Sequence, residues 1–253
     1  MSLAVVVMER NVVTYRRQWI AFLTGFLEPV FYLFSLGIGL GALVGDLTLP
    51  DGRAVSYAQF VAPGMLALSA MNGAVFDSTY NMFFKLKHMH TFEAMLATPV
   101  GPRDIALGEM LWSLVRSGIY VTGFLLISVA MGLTTSWWAL LAVPAATLIG
   151  FVFSGMGMAA TTWVRNFQDF DYIQMVLVPL TLLSATFFPV EAYPEHVRWL
   201  VQLSPLYHGV VIERGLMLGD VGPVLLVHAA VLVLAGVIGL RVARRRLAVL
   251  LLT

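Results

Sequence analysis

The feature that most limits this chain is its succession of apolar runs, several of which reach the roughly 20 residues that cross a hydrocarbon core about 30 Å thick. Charges are scarce: 59% of the 253 residues are hydrophobic and 11% charged, and the mean hydropathy is +0.86. Soluble domains run near 45–50% apolar and about 25% charged. The expected fold class is therefore an all-α polytopic membrane protein. The absence of cysteine removes disulfides, thiol chemistry and Cys-ligated metals. A net charge of +1 points to no partner by itself, and no nucleic-acid partner is expected.

In chain order, residues 1–18 lack the basic start and long apolar core of a signal peptide. Leu3, Val6, Val7 and Val13, set against Glu9, Arg10, Arg16 and Arg17, predict a helix lying in the membrane interface. A frayed extension of the first span is the alternative. Spans follow at 19–44, entered by Trp19, and at 57–80, with Pro63 near its start and Asp77 near its end. The loop between them carries Asp46, Asp51 and Arg53. Further spans are expected at 105–133, 138–164, 172–188 and 223–240, six in all, with a basic tail over 241–253. Residues 189–222 are too long and too apolar for a plain loop, and Pro189, Pro194 and Pro205 interrupt them. Pro194 suits a first helical position, and Gly219 stops a second segment. Two short re-entrant helices fit this pattern, because irregular backbone at membrane depth must be buried by protein or reached by water.

The segment 85–100, KLKHMHTFEAMLATPV, is the polar exception. Thr91 to Ala97 makes about two helical turns, capped by Thr91 and stopped before Pro99. Phe92, Met95 and Leu96 then share one face. Of the 15 Lys and Arg residues, eleven fall on the side that holds this segment and both chain ends. Three (Arg53, Arg198, Arg214) fall on the other side, and Arg116 lies within a span. The positive-inside rule places both termini and segment 85–100 in the cytoplasm. Trp19 and Trp163 at inner boundaries, and Trp137 and Trp138 at an outer one, agree with that orientation.

Four charged residues lie within the spans: Glu28, followed by Pro29, and Asp77, Glu109 and Arg116. An ionisable group at that depth is a functional-site candidate, yet Arg116 can equally neutralise Asp77 or Glu109 and fix packing. Gly37-x-x-x-Gly41 and the Gly150, Ser154, Gly155, Gly157 cluster permit close helix approach, within one subunit or between two. His88 and His90 have the look of a metal pair, but no third ligand stands at suitable spacing; His228 reads as a hydrogen-bonded interior histidine. Arg241, Arg244, Arg245 and Arg246 anchor topology or meet anionic lipid. There is no G-x-x-x-x-G-K-[ST] phosphate loop and no hydrolytic or metal motif, so no catalytic, cofactor or metal site is expected on this chain. The matched pair of broken spans expected of many secondary transporters is also missing.

The order of elements resembles the permease subunit of ABC-2 type ATP-binding-cassette exporters. FEAMLATPVGPRDIALGEML (92–111) resembles that family's cytoplasmic segment, and SATFFPVEAYPEHVRWLVQLSPLYHGVVIERGLMLG (184–219) its C-terminal signature region, in the nodulation lipo-oligosaccharide branch above all. The resemblance implies an export permease in the plasma (inner) membrane that is not itself an enzyme. It works with a cytoplasmic ATPase that holds ATP and Mg, a second permease subunit and membrane lipid. It makes 90–97 a coupling helix, with His90, Thr91, Phe92, Glu93, Met95 and Leu96 at the ATPase and the apolar three supplying the contact. The N-terminal helix would slide in the interface as a second contact. Pro189, Glu191, Pro194 and Pro205 would belong to an exit gate, with Glu195 and Arg198 beside Glu191 at its aqueous rim. Met71, Asn72, Phe76, Thr181 and Ser184 would line the path. The implied cargo is a lipo-oligosaccharide or lipid-linked saccharide; a hydrophobic drug is the alternative within the family. An ion-coupled transporter using Glu28 and Arg116 is the alternative outside it.

Overall fold

The structure, a computed structural model, describes residues 2–16, 27–49 and 52–252. Arg17 at the end of the interfacial helix, Trp19 at the head of the first span and Asp51 in the first loop lie outside the described residues. Helix α1 (Leu3–Tyr15) buries Ala4, Val7 and Asn11 at helical spacing. Helix α2 (Leu27–Val44) gives way at Gly45, φ 74°, to a hairpin in which β1 (Asp46–Thr48) pairs antiparallel with β2 (Ala54–Ser56). Helix α3 (Tyr57–His88) opens on a reciprocal cap: the Gln59 N–H donates to Ser56 Oγ at 3.2 Å, and the Ser56 N–H donates to Gln59 Oε1 at 3.0 Å. It loosens into wider turns over Asp77–Asn81 and Phe84–His88. Then come α4 (Thr91–Leu96), α5 (Pro102–Ala130), α6 (Trp137–Thr161) and α7 (Phe170–Leu182). The last three are α8 (Glu195–Leu203), α9 (Pro205–Leu218) and α10 (Val224–Leu252).

Among the described residues, α2, α3, α5, α6 and α10 are long and apolar enough to cross a membrane. Helix α3 is the centre, packed by α5, α6 and α9; 83% of its most apolar stretch is buried, against 17% for α10. Small residues make this possible, since lipid tails give helices no hydrophobic reason to associate and close backbone approach must supply the contact. A Cβ on Gly64 would meet Thr186 at 2.9 Å, and one on Gly73 would meet the Tyr120 ring at 3.0 Å. Helices α6 and α10 touch at Gly155 and Gly239, where an added Cβ meets the opposing backbone at 2.9 Å. Both glycine clusters seen in the sequence pack within this chain: Gly37 faces Ala58, and Gly150 faces Ser117.

Several expected boundaries move. The second span was expected to end at residue 80, but α3 runs to His88 because Met82, Phe83 and Leu86 keep a buried face. Helix α7 covers 170–182 rather than 172–188: Leu183 leaves helical geometry and Ala185 turns with φ 53°. Its 13 residues span about 20 Å, short of a full hydrocarbon core. Helix α10 carries straight through the expected break at 240, taking Arg241 to Arg246 into its last turns. No proline interrupts it, arginine favours helix, and Ala243 and Leu247 pack back onto the fold. Pro194 caps α8 from outside, while Pro205 takes the first position of α9, which ends at Gly219 with φ 84°.

Candidate functional site

Asp77 and Arg116 face one another across α3 and α5, and both are buried. Arg116 Nη1 donates to Asp77 Oδ1 at 3.2 Å, while Nε and Nη2 donate to the Tyr120 hydroxyl at 3.0 and 2.8 Å. The guanidinium carbon lies 4.8 Å from the Phe76 ring centroid, close enough for cation–π attraction. Asn81 Nδ2 donates to the same Asp77 oxygen, and Asp77 Oδ2 has no hydrogen-bond partner among the described residues. The acid neutralised by Arg116 is thus Asp77. Glu109 pairs with Lys85 at 2.6 Å, a lysine that charge counting had put in a cytoplasmic loop.

Beside the Asp77–Arg116 pair runs a groove of about 510 Å³ between α2, α3 and α7. Glu28, Met71, Asn72, Phe76, Arg116 and Thr181 all line it, joined by Tyr32, Tyr80 and Gln174. Four of the five path candidates therefore share one wall system with two of the charged candidates. Ser184 stands apart: its hydroxyl donates to the Leu180 carbonyl and lies 2.6 Å from Ser204 Oγ. Ser204 Oγ in turn accepts the Tyr207 N–H at 3.4 Å. Ser184 ties the end of α7 to the start of α9 and does not face the groove.

Above the groove, the segment from 183 to 219 holds the residues expected at an exit. Pro189 precedes the short turn Val190–Ala192, and Arg198 Nη2 and Nε hold that turn by donating to the Glu191 and Tyr193 carbonyls at 2.8 and 2.9 Å. Glu191, Pro194 and Glu195 are exposed. Two residues of α9 escaped the sequence reading. Arg214, counted there as an outer-surface cation, reaches inward: Nη2 donates to the Ala185 and Thr186 carbonyls at 2.9 and 3.4 Å, and Nε to the Phe60 carbonyl at 3.3 Å. Its guanidinium sits 3.9 Å over the Phe60 ring. Glu213 is fully buried with neither carboxylate oxygen hydrogen-bonded among the described residues. An E-R pair in a short apolar helix was the available signal. His228 meets His208 with Nδ1 atoms 2.6 Å apart.

The short helix expected over 90–97 forms as α4, with its apolar face turned inward. Phe92 and Met95 are 1% and 9% exposed, packed on Val7, Leu86, Ile105 and Leu247 within one apolar cluster, with Leu96 against its edge. This apolar face is covered by the protein's own core, with Phe92 and Met95 buried and Leu96 half-buried. Thr91 is the first helical residue, not the cap; His90, at φ 49°, stands in the cap position without a side-chain bond to the helix N-terminus. His90 Nδ1 and Glu93 Oε1 are 3.0 Å apart, and both side chains are exposed. Between α1 and α4 lies a cleft of about 400 Å³ lined by Val6, Arg10, Met89, Ala94 and Thr98. His88 packs against Phe83 and Phe84.

Comparison with known proteins gives this arrangement its context. Residues 3–218 match the family described as ABC-2 type transporter. Nodulation protein J of Rhizobium leguminosarum bv. trifolii is 36% identical over 218 residues, covering 85% of this chain and 81% of that protein. Nodulation protein J of Neorhizobium galegae is 32% identical over 250 residues, covering 96% and 93%. The inner membrane transport permease YadH of Escherichia coli (strain K12) is 27% identical over 198 residues, covering 77% and 74%. With five membrane-long helices among the described residues, a groove edged by a buried ion pair, and a family match that takes in all but the last helix, the chain belongs to the ABC-2 type transporter family as a multi-pass membrane permease subunit, not itself an enzyme.

Proposed function

We propose that this permease exports a lipo-oligosaccharide, or another lipid-linked saccharide, outward across the plasma (inner) membrane, driven by ATP hydrolysed on a separate subunit. The groove carries this reading. Asn72, Gln174 and Thr181 offer amides and a hydroxyl to sugar oxygens, while Met71 and Phe76 supply apolar wall in the same space. Amphiphile binding needs both kinds of surface in one site, and the kinship with nodulation proteins favours a glycolipid among amphiphiles. Glu28 and Arg116 are the groove's charged groups, placed to meet polar parts of a cargo.

ATP and Mg belong to a cytoplasmic ATPase seated on the cleft between α1 and α4. Met89 and Val6 are 67% and 41% exposed there, with His90, Thr91 and Glu93 at the rim; Phe92, Met95 and Leu96 hold α4 to its own chain. A second permease subunit completes the path against α2 and α7, whose Phe31, Tyr32, Met175 and Val178 are exposed. Six crossings with α7 as the short fifth, and both ends in the cytoplasm, follow the split of basic residues, which stays ten to two once the buried Lys85 and the inward-reaching Arg214 are set aside. The α8–α9 pair, with Pro189, Glu191, Pro194 and Pro205, closes the outer end.

Purification of the tagged chain from its native membrane, followed by reconstitution, tests the reading. A stoichiometric ATPase and ATP-dependent accumulation of lipid-linked glycans are expected. Absence of the ATPase, or transport of hydrophobic drugs in preference to glycans, contradicts it.

A further inference from the structure

We infer that Lys85, Glu109 and Asn11 form a clamp that locks the N-terminal helix α1 to α3 and α5, the body that carries α4, and that Lys85 is the positioning residue of that clamp. Three elements meet in a closed ring: Lys85 Nζ of α3 donates to Glu109 Oε2 of α5 at 2.6 Å and to Asn11 Oδ1 of α1 at 3.1 Å. Asn11 Nδ2 closes it by donating to Glu109 Oε1 at 3.0 Å. The three residues are 5%, 5% and 0% exposed, and both side-chain polar atoms of Asn11 and both Glu109 oxygens are used.

A buried ion pair is weak as a source of stability, because an apolar pair of equal volume serves as well or better; its distinctive contribution is register. Apolar surfaces slide past each other at small cost, whereas a hydrogen-bonded ring has one geometry. A second contact makes the same point: a Cβ on Gly108 would meet Val7 Cβ at 2.5 Å and the Ala4 carbonyl at 2.7 Å, so α1 lies directly on the α5 backbone. Tyr15 continues the seam, stacked on Trp112 of α5 with centroids 5.2 Å apart.

Helix α4 hangs from the same body. Only Met89 and His90 separate it from the end of α3, and Phe92 and Met95 share a cluster with Val7 and Ile105. A push on α4 therefore moves α1, the end of α3 and the start of α5 together. The N-terminal helix does not slide independently, as a free interfacial helix would. Lys85 lies eight residues beyond Asp77 on α3, so the same movement reaches the ion pair at the groove.

This inference rests on the ATP-driven export reading, and the test separates the two. Permease–ATPase complexes in proteoliposomes are assayed for ATP hydrolysed and glycolipid exported, with the wild-type complex reporting on the export reading alone. Asn11→Leu leaves Lys85 paired with Glu109 and frees α1; Lys85→Met with Glu109→Leu removes the whole ring without stranding a charge. Both variants are expected to hydrolyse ATP while glycolipid exported per ATP falls about tenfold. Lys85→Glu with Glu109→Lys, which restores an ion pair, should recover most of that ratio. Wild-type ratios in Asn11→Leu and in the apolar double variant would overturn the clamp. So would failure of Asn11→Leu to assemble with its ATPase, which would make the ring a folding element.

Discussion

Helices α3 and α5 are tied together twice, and the two ties differ in kind. Asp77–Arg116 and Lys85–Glu109 are spaced by eight residues on α3 and seven on α5, about 10–12 Å along antiparallel helices. The signs are reversed between them: α3 offers an acid and then a base, α5 a base opposite the first and an acid opposite the second. A shift of register by two turns would set like charges together, so the pairs specify one alignment. Their surroundings teach more. The lower pair is closed by Asn11 and hidden from solvent. The upper pair borders an open groove, keeps one carboxylate oxygen without a partner among the described residues, and holds its cation against aromatic rings. The closed tie fits the clamp inferred above, and the open one borders the groove proposed for cargo.

The largest way to break this comparison is to strand a charge. Arg116→Leu leaves Asp77 buried beside Asn81 alone and should cost about 3–5 kcal/mol, seen as lost yield or a lowered Tm in detergent. Asp77→Asn with Arg116→Gln avoids that penalty, so it should assemble while glycolipid export falls. Phe92→Ala should cost about 3 kcal/mol, because it empties a site in the lower cluster. Ala94→Arg, on the outward side of the same helix, should change stability by less than about 0.5 kcal/mol yet weaken ATPase co-purification. Equal effects of the last two would return the apolar face of α4 to the ATPase.

These outcomes also mark what was legible beforehand. The long helices were, because a run of some twenty apolar residues has few other uses, and Arg116 close to two acids announced a pair. Lys85 was not: charge counting treats a lysine next to Lys87 as loop, whereas Met82, Phe83 and Leu86 carry the helix past it. The end of α7 was hidden because Leu183 to Phe188 is as apolar as the helix before it, and the turn depends on Arg214 drawing in the Ala185 and Thr186 carbonyls from 29 and 28 residues away. Periodicity found the face of α4 made by Phe92, Met95 and Leu96, but periodicity does not say what covers a face. Four groove residues were placed by helix position, and Ser184 was lost with the helix boundary.

Smaller effects sharpen the contrast with charges held at the surface. Glu28→Gln should leave stability within about 0.5 kcal/mol, since Glu28 is exposed in the groove, and should alter glycolipid export several-fold. Asp169, half-buried in the surface loop between α6 and α7, supplies the limiting case. The backbone N–H groups of Arg165 and Asn166 donate to its Oδ2 at 2.7 and 3.2 Å and hold its carboxyl below the usual carboxylate range. A depressed folded value means that its stabilisation is present above the unfolded value near 3.9 and disappears as pH falls through the folded one. Asp169→Asn should therefore match wild type under acid and be slightly less stable at neutral pH, read as Tm against pH.

Transport by the reconstituted permease–ATPase complex tests the central claim most directly, with ATP hydrolysis and glycolipid accumulation measured on the same vesicles. Wild type should accumulate a lipo-oligosaccharide only with ATP, and the Asp77→Asn, Arg116→Gln complex should hydrolyse ATP while accumulating far less. Equal accumulation by the two complexes, or accumulation without ATP, would contradict the assignment of the groove as the export path.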